Sequence, residues 1–207
     1  MKNKSFNCMI AGVGGQGTVL SSKLIAAAAI KAGFNVRTTE TIGMAQRGGS
    51  VFGHVRIGAG GMDIFSPLIP LGKADIIIAF EPAEAVRQLP YLCKDGMVIS
   101  CDTAIKPIAN LQSKQKNYEA SEMINYLNKY APHLILLDGK RLTAQNAKTL
   151  NVALLGAAAQ YTAKYPAQNG TFPFDANTLN SVLVETLPKR FLEMNIKAFE
   201  LGRELCP

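Results

Sequence analysis

Short apolar runs and longer helical patterns alternate along the chain. Residues 6–11 and 76–80 are continuous apolar runs, which are typical of strands covered on both faces. Residues 51–57 alternate apolar and polar positions with a period of two, which indicates a strand with two unlike faces. Further strands are predicted at residues 35–39, 97–100 and 134–137. Because helical patterns separate most of these strands, the sequence predicts an α/β, Rossmann-like fold with a mostly parallel sheet and helices on both faces.

Helical periodicity covers residues 18–32 and most of the C-terminal third. The first helix carries only Lys23 and Lys31 as charged residues, so it is predicted to lie in the interior and to end at Gly33. Three more helices begin near Leu150, Leu179 and Phe191, each with an apolar stripe. The last of them could pack on its own sheet or on a partner chain, and we favour the sheet. We expect one domain over residues 1–207, with residues 141–207 as its helical C-terminal part.

The composition is that of a globular protein with a basic surface. Hydrophobic residues make up 48% of the chain and charged residues 18%, which excludes intrinsic disorder. The formal net charge of +7 favours an anionic partner, such as nucleic acid, a phosphorylated ligand or an acidic protein. Since the lysines and arginines are scattered and tryptophan is absent, we expect no nucleic-acid partner. No segment reaches the roughly 18 apolar residues of a membrane span, so we expect no membrane partner either.

The cysteines and histidines show no metal-binding spacing. No pair has the C-x-x-C spacing of zinc and iron–sulfur sites, which argues against either centre within this chain. We therefore expect reduced, mostly buried thiols in a cytoplasmic protein, and we assign any redox centre to another chain. The residues concerned are Cys8, Cys93, Cys101, Cys206, His54 and His133.

The first glycine-rich stretch, residues 12–17, lies between the first strand and the first helix. Gly12, Gly14 and Gly17 satisfy the G-x-G-x-x-G pattern in the context that this pattern requires. The free amides and the positive end of a helix beginning near Thr18 attract phosphate. Glu40, at the end of the second strand, lies where a dinucleotide fold has its ribose-binding acid. Two interpretations stay open: an NAD-binding Rossmann-type dehydrogenase, or glycines that only allow strand and helix to pack closely.

A second glycine-rich stretch, residues 43–50, precedes a strand and is therefore predicted to be a loop at the rim of the sheet. It carries the donor side chains Gln46 and Arg47 beside Gly48. An arginine next to paired glycines can bind a carboxylate or a phosphate through two parallel hydrogen bonds. The alternative is a solvated arginine in a tight turn, but the presence of two such loops in one chain favours binding.

The two stretches together resemble a known family. Residues 12–18, GVGGQGT, and residues 40–51, ETIGMAQRGGSV, are similar to the gamma domain of the 2-oxoacid:ferredoxin oxidoreductases. Within that family the chain is most similar to the small (beta) subunits of indolepyruvate ferredoxin oxidoreductases. The similarity is specific over residues 6–58 and continues more loosely through residues 74–82 and 195–202, so it covers most of the chain.

The resemblance implies an activity and a division of labour between subunits. Such enzymes oxidatively decarboxylate 2-oxoacids, here indolepyruvate or another aryl pyruvate, to acyl-CoA and reduce ferredoxin in an anaerobic cytoplasm. It implies that a larger catalytic subunit holds thiamine diphosphate and the [4Fe-4S] clusters, and that ferredoxin is reached through the complex. We therefore expect an essential, non-catalytic small subunit that is inactive alone, with no catalytic residue and no metal site. A basic regulatory binding module is a further alternative.

The resemblance assigns the contact site to the two glycine-rich stretches. They are expected either to accommodate coenzyme A, the one cofactor that this chain itself would contact, or to press against the catalytic subunit. We favour the subunit interface. The candidate residues are Gly12, Gly14, Gly15, Gln16, Gly17 and Thr18 in the first stretch, with Gln46, Arg47 and Gly48 in the second.

Other polar positions carry specific expectations. Glu81 follows a buried strand, so it either caps the next helix or faces a ligand at the carboxyl end of the sheet, and we favour the cap. His54 is expected to be a half-exposed strand histidine on the same face as Arg56. Asp75 is predicted to be a solvated charge at a strand end, and residues 138–140 are predicted to form a turn.

Overall fold

The computed structural model describes residues 5–42, 49–104, 119–144, 146–165 and 170–207. The strands in these ranges are β1 (Ser5–Val13), β2 (Asn35–Ile42), β3 (Ser50–Gly58), β4 (Ala74–Ala79), β5 (Leu92–Cys101) and β6 (His133–Leu137). The helices are α1 (Thr18–Lys31), α2 (Pro82–Gln88), α3 (Ala120–Tyr130), α4 (Gly139–Thr143), α5 (Leu150–Lys164), α6 (Ala176–Thr186) and α7 (Lys189–Leu205). Each strand expected from the sequence is confirmed, and several extend beyond their apolar runs. No helix in the described ranges combines the length and the apolarity needed to span a bilayer.

The strands form a single sheet with the order β2-β3-β1-β4-β5-β6. β1, β4, β5 and β6 are parallel neighbours, whereas β3 runs antiparallel to both β1 and β2. The predicted mostly parallel α/β sheet is therefore confirmed. Because β3 separates β2 from β1, Glu40 on β2 does not lie beside the first glycine-rich stretch. The prediction of a dinucleotide-type ribose acid at Glu40 is wrong for this topological reason.

Each face of the sheet is covered by a different set of elements. On one face Ile10 and Ile78 join a large hydrophobic core with α1, α5, α6 and α7. On the other face Met9 and Ile77 pack against a thinner layer, made of α2, α3 and the segment 62–73. The buried apolar residues that this thinner layer contributes are Ile69, Ala85 and Leu127. Helices on both faces are confirmed, with unequal cover on the two sides.

Two glycines set the spacing between α5 and α7. Gly156 of α5 lies against the backbone of Phe199, and Gly202 of α7 lies against the backbone of Ala153. A Cβ at either glycine would overlap the neighbouring helix, so only glycine allows this approach. The last helix therefore packs on its own chain, as expected, but on α5 and not directly on the sheet. α5 lies between the sheet and α7 and is buried on nearly all sides, which is more than the single apolar stripe indicated.

Two side chains of β3 hold the segment 62–73, which connects β3 to β4 without helix or strand. Arg56 Nη1 donates a hydrogen bond to the carbonyl oxygen of Ser66 at 2.9 Å. The backbone N–H of Ile69 donates to His54 Nδ1 at 3.2 Å. His54 lies on the same face as Arg56, as expected. The prediction that it is half-exposed is wrong, because the segment 62–73 buries it.

Two acidic residues also differ from expectation. Asp75 is buried, and its Oδ2 accepts a hydrogen bond from the backbone N–H of Asn7 at 2.8 Å, so it joins β4 to β1 and is not a solvated charge. Asp138 begins a helix where a turn was expected. Its Oδ1 accepts from the N–H of Arg141 at 3.0 Å and caps α4.

The hydrogen bond between Ile69 and His54 predicts a pH-dependent stability. Nδ1 can accept only when the ring is neutral, and burial lowers the pKa of His54 below its ordinary value of 6.5. A group whose folded pKa is depressed in this way binds its proton first in the unfolded state. The stabilisation of the fold by the neutral His54 ring is therefore complete above pH 6.5 and is lost as the pH falls below that value. We expect the urea midpoint of the protein to drop between pH 7 and pH 5.

His54→Asn is the matched control, because the asparagine Oδ1 can accept from Ile69 and does not titrate in this range. The variant loses the ring contacts of His54 with Phe52 and Tyr91, so its midpoint is lower at pH 7. Its decline between pH 7 and pH 5 should be shallower than that of the unmodified protein. Equal slopes would contradict the role of the neutral ring.

Candidate functional site

The first glycine-rich stretch forms the turn between β1 and α1, at the carboxyl end of β1. Gly15 has φ +99° and Gly17 has φ +86°, both in the left-handed region that favours glycine. The N–H of Gln16 donates to the carbonyl oxygen of Val13 at 3.1 Å and closes the turn. Gly15 is exposed, so another molecule can approach the tip of the turn.

Gly12 is required for packing within the site. A Cβ at this position would lie 2.6 Å from the ring of Phe80 and 2.8 Å from Gln16 Oε1. A larger residue would push the end of β4 away from the turn. Packing alone accounts for this glycine, which supports the close-packing interpretation at the first position of the G-x-G-x-x-G pattern.

Gln16 connects the turn to the next strand of the sheet. Its Oε1 accepts a hydrogen bond from the N–H of Val13 at 2.7 Å. Its Nε2 donates to Glu81 Oε1 at 2.9 Å, across 65 positions of sequence. The side chain thus satisfies a backbone donor of β1 and a carboxylate at the end of β4 at the same time. Gln16 is a structural link in the isolated chain and does not point freely toward a ligand.

Two buried carboxylates lie at the carboxyl end of β4. Glu81 is 3% exposed and Glu84 is 1% exposed. Glu84 accepts from Ser50 Oγ at 2.6 Å and forms an ion pair with Arg87. Glu81 occupies the N-cap position of α2, but its side chain makes no capping hydrogen bond and instead contacts Gln16. The predicted cap position is therefore confirmed, but it is the Glu81 backbone that begins the helix and not its side chain. Nothing in the local sequence pattern singles out Glu84, because its partner Ser50 comes from β3.

The N-terminus of α1 has unused hydrogen-bonding capacity. Gly17 is the N-cap residue and provides no side-chain cap. The first backbone N–H groups of a helix have no partner within the helix. Thr18 is buried, and its Oγ1 has no hydrogen-bond partner among the described residues. Asn151 of α5 packs against Gly17, and its Nδ2 donates to the Gly17 carbonyl oxygen at 3.4 Å. A group that accepts hydrogen bonds would be favoured beside Thr18.

The cysteines do not form a metal centre in the described part of the chain. All four are free, and no group of three or more histidine, cysteine or acidic residues lies close enough there to hold a metal ion. Burial raises the pKa of Cys101 to about 12 and raises the pKa of Cys8 as well. Metal and cluster ligands must be thiolates, which these environments disfavour. The described residues therefore do not fit an iron–sulfur cluster.

The second glycine-rich stretch is described only at its end. Gln46, Arg47 and Gly48 lie outside the described residues, so their role in the site stays a prediction. The carbonyl oxygen of Gly49 accepts a hydrogen bond from the N–H of Gly14 at 2.9 Å. The end of the second stretch therefore lies directly beside the first.

This arrangement of strand, glycine turn and helix can be compared with known proteins. Residues 7–205 match the model of the family described as pyruvate ferredoxin/flavodoxin oxidoreductase. The chain belongs to this family. Indolepyruvate oxidoreductase subunit IorB of Archaeoglobus fulgidus is 38% identical over 198 residues, which cover 95% of this chain and 92% of that protein. Membership in the family confirms the expected similarity and favours it over an NAD-dependent dehydrogenase.

Solved structures of related enzymes have the same fold. The gamma subunit of a keto/oxoacid ferredoxin oxidoreductase from Geobacter sulfurreducens aligns with a TM-score of 0.65 at 18% identity, over 97% of this chain and 98% of that one. A 2-oxoglutarate:ferredoxin oxidoreductase from Magnetococcus marinus, solved with 2-oxoglutarate, coenzyme A and succinyl-CoA bound, aligns with a TM-score of 0.69 at 19% identity. The alignment covers 98% of this chain but 31% of that one, so there the fold is one part of a longer polypeptide.

The link between Gln16 and Glu81 predicts a measurable coupling energy. Hydrogen bonds to charged groups contribute about 1.5–3 kcal/mol, and a double-mutant cycle isolates the pairwise part. We expect Gln16→Ala and Glu81→Ala each to lower the free energy of unfolding. The loss in the double variant should be smaller than the sum of the two single losses by at least about 1 kcal/mol. Urea unfolding of the four proteins measures this.

A control cycle pairs Gln16→Ala with Glu185→Ala, an exposed residue of α6 that pairs with Lys31. These two positions share no contact in the described structure, so their effects should add. Additive effects in the Gln16 and Glu81 cycle as well would contradict the link.

Proposed function

We propose that this chain is the non-catalytic small subunit of a 2-oxoacid:ferredoxin oxidoreductase that acts on indolepyruvate or a related aryl pyruvate. The complex decarboxylates the 2-oxoacid oxidatively, transfers the acyl group to coenzyme A and passes the electrons to ferredoxin. The observation that carries the proposal is the relationship to an indolepyruvate oxidoreductase subunit over nearly the full length of both chains. We further propose that the complex works in an anaerobic cytoplasm.

The proposed division of labour assigns the redox chemistry to the larger subunit. Thiamine diphosphate supplies the carbanion chemistry of the decarboxylation, and [4Fe-4S] clusters carry the electrons, both on the partner. The buried, protonated thiols of Cys8 and Cys101 support this assignment, because they offer no ligands for a cluster here. The contribution of this chain is to complete the assembly beside the active centre.

The glycine edge, which we define as residues 12–18, is proposed to contact the catalytic subunit. Coenzyme A is the alternative occupant, and the unpartnered Thr18 hydroxyl at the positive end of α1 suits one of its phosphates. Residues 12–18 contain no cation, however, and the buried carboxylate of Glu81 accepts a hydrogen bond from Gln16. A phosphate placed beside Glu81 would be repelled, whereas the charge of Glu84 is neutralised by its ion pair with Arg87. These charges favour the subunit interface.

Anaerobic co-expression with the larger, cysteine-rich subunit tests the proposed function. We expect the two chains to co-purify and to reduce ferredoxin only when indolepyruvate and coenzyme A are both present. The isolated chain should be inactive because it has neither the thiamine cofactor nor the clusters. Failure of the chains to co-purify, or full activity of the larger subunit without this chain, would contradict the proposal.

Two variants separate the interface from the coenzyme site within that complex. Gly15→Asn adds a side chain at the exposed tip, where the added Cβ meets nothing within 4 Å among the described residues, and asparagine tolerates positive φ better than most residues. We expect it to raise the Kd for the larger subunit about tenfold, which corresponds to about 1.4 kcal/mol. Thr18→Val removes only the hydroxyl and should leave the KM for coenzyme A unchanged. A roughly tenfold rise in that KM would instead indicate that coenzyme A binds at Thr18.

A further inference from the structure

The segment 62–73 exposes three large apolar side chains on the thin side of the sheet. Phe65 is 94% exposed, Leu68 56% and Leu71 66%, whereas Ile64 and Ile69 of the same segment are buried. We call the three exposed residues the 65–71 ridge. They are spaced three residues apart in a segment that also contains Pro67 and Pro70. This spacing suits a single face of an extended, proline-rich chain, which has about three residues per turn.

The exposure of the ridge is fixed by contacts from the sheet. Arg56 Nη1 donates to the carbonyl oxygens of Ser66 and Leu68, at 2.9 Å and 3.2 Å. The N–H of Ile69 donates to the buried His54. The backbone is therefore tied down between the exposed side chains. A surface held in this way loses little conformational entropy when a partner covers it.

The ridge is too large to be a set of scattered surface residues but too small to form an interface alone. Its three side chains present apolar surface on the order of 400 Å², in the range of the largest patches on monomeric proteins. A stable interface buries about 800 Å² on each partner. The partner must therefore also cover neighbouring surface.

The neighbouring surface begins at Pro70 and Gly72, which flank Leu71 of the ridge in sequence. One depression is lined by Pro70, Gly72 and Lys73, and it shares Cys93 and Lys94 with a second depression beside α3. The second depression is walled by two half-exposed aromatic residues whose ring centroids are 4.4 Å apart, Tyr126 and Tyr130. Exposed apolar and aromatic groups thus extend from the ridge to α3.

Charge decides between a second copy of this chain and a different partner. Lys73 and Lys94 are exposed along the connection, and neither forms an ion pair with the rest of the described chain. They outnumber Asp95, the exposed carboxylate that lines the same depression, so this surface is positive on balance. A two-fold interface between copies brings the same patch against itself and would bring these lysines close together. Like charges at an interface are unfavourable, whereas carboxylates on a different protein would be favoured. The net charge of +7 also favours an acidic partner over a second copy of this chain.

We infer that the 65–71 ridge, with the surface from Lys73 to Tyr130, is a docking surface for the larger catalytic subunit, which meets it with apolar side chains and carboxylates. The inference rests on the proposed function, and it adds a second contact area to the glycine edge. The relative in which this fold makes up 31% of one longer polypeptide supports a partner from the same enzyme.

The test compares two triple variants of the full chain, each titrated against the larger subunit. The ridge variant carries Phe65→Ser, Leu68→Ser and Leu71→Ser. The control carries three matched changes on the other side of the molecule, at exposed apolar residues of α1, α6 and α7: Ile30→Ser, Val184→Ser and Phe191→Ser. We expect the ridge variant to raise the Kd at least 100-fold and the control to change it less than threefold. Circular dichroism of each chain alone checks that both are folded.

A charge variant keeps the test decisive if the ridge variant fails to fold. Lys73→Glu with Lys94→Glu changes only exposed side chains, and it should raise the Kd at least tenfold at low salt and less at high salt. Equal Kd values for the unmodified chain and both surface variants would overturn the inference while leaving the proposed function intact. Self-association of the isolated chain that only the ridge variant abolishes, with an unchanged Kd for the larger subunit, would assign the ridge to a second copy and also overturn it. No binding by the unmodified chain would refute the proposed function itself.

Discussion

One side-chain amide joins the elements that form the carboxyl edge of this sheet. Gln16 satisfies the N–H of Val13 and donates to the buried carboxylate of Glu81, so it fixes the glycine turn against the end of β4. Gly12 makes room for it, because a Cβ there would collide with Gln16 and Phe80. Where the turn lies, and therefore which surface it presents to another molecule, depends on this contact. The first glycine-rich stretch is thus a rigid edge.

The same glycine pattern occurs in dinucleotide-binding folds, but here the sheet topology changes what it can do. β3 is inserted antiparallel between β1 and β2, which moves Glu40 away from the turn. The neighbouring charge is the buried carboxylate of Glu81, which disfavours a dinucleotide phosphate, whereas Glu84 is paired with Arg87. Close packing accounts for Gly12 and Gly17, and the proposed contact with a partner chain would account for the exposed Gly15, without a nicotinamide cofactor.

The local pattern of apolar residues was sufficient to predict the strands and α1, because apolar runs and their periodicity follow directly from burial. It could not predict which strand lies between β1 and β2, since strand order depends on long-range pairing. The same limit explains His54 and Asp75, whose burial comes from Ile69 and Asn7, residues 15 and 68 positions away. In the candidate site, the sequence identified Gln16 and Thr18 but not Glu84, and it did not predict the hydrogen bond between Gln16 and Glu81. The roles of these four side chains depend on hydrogen bonds to residues distant in sequence, which local pattern does not reveal.

We propose that a larger subunit completes this chain at two places, the glycine edge and the 65–71 ridge. Hydrogen–deuterium exchange of the chain, alone and within the co-purified complex, tests it most directly. We expect amides of residues 14–18 and 65–71 to exchange at least tenfold more slowly in the complex. Amides on the exposed side of α7 should be unchanged. Unaltered exchange at both places in a complex that has assembled would contradict the account.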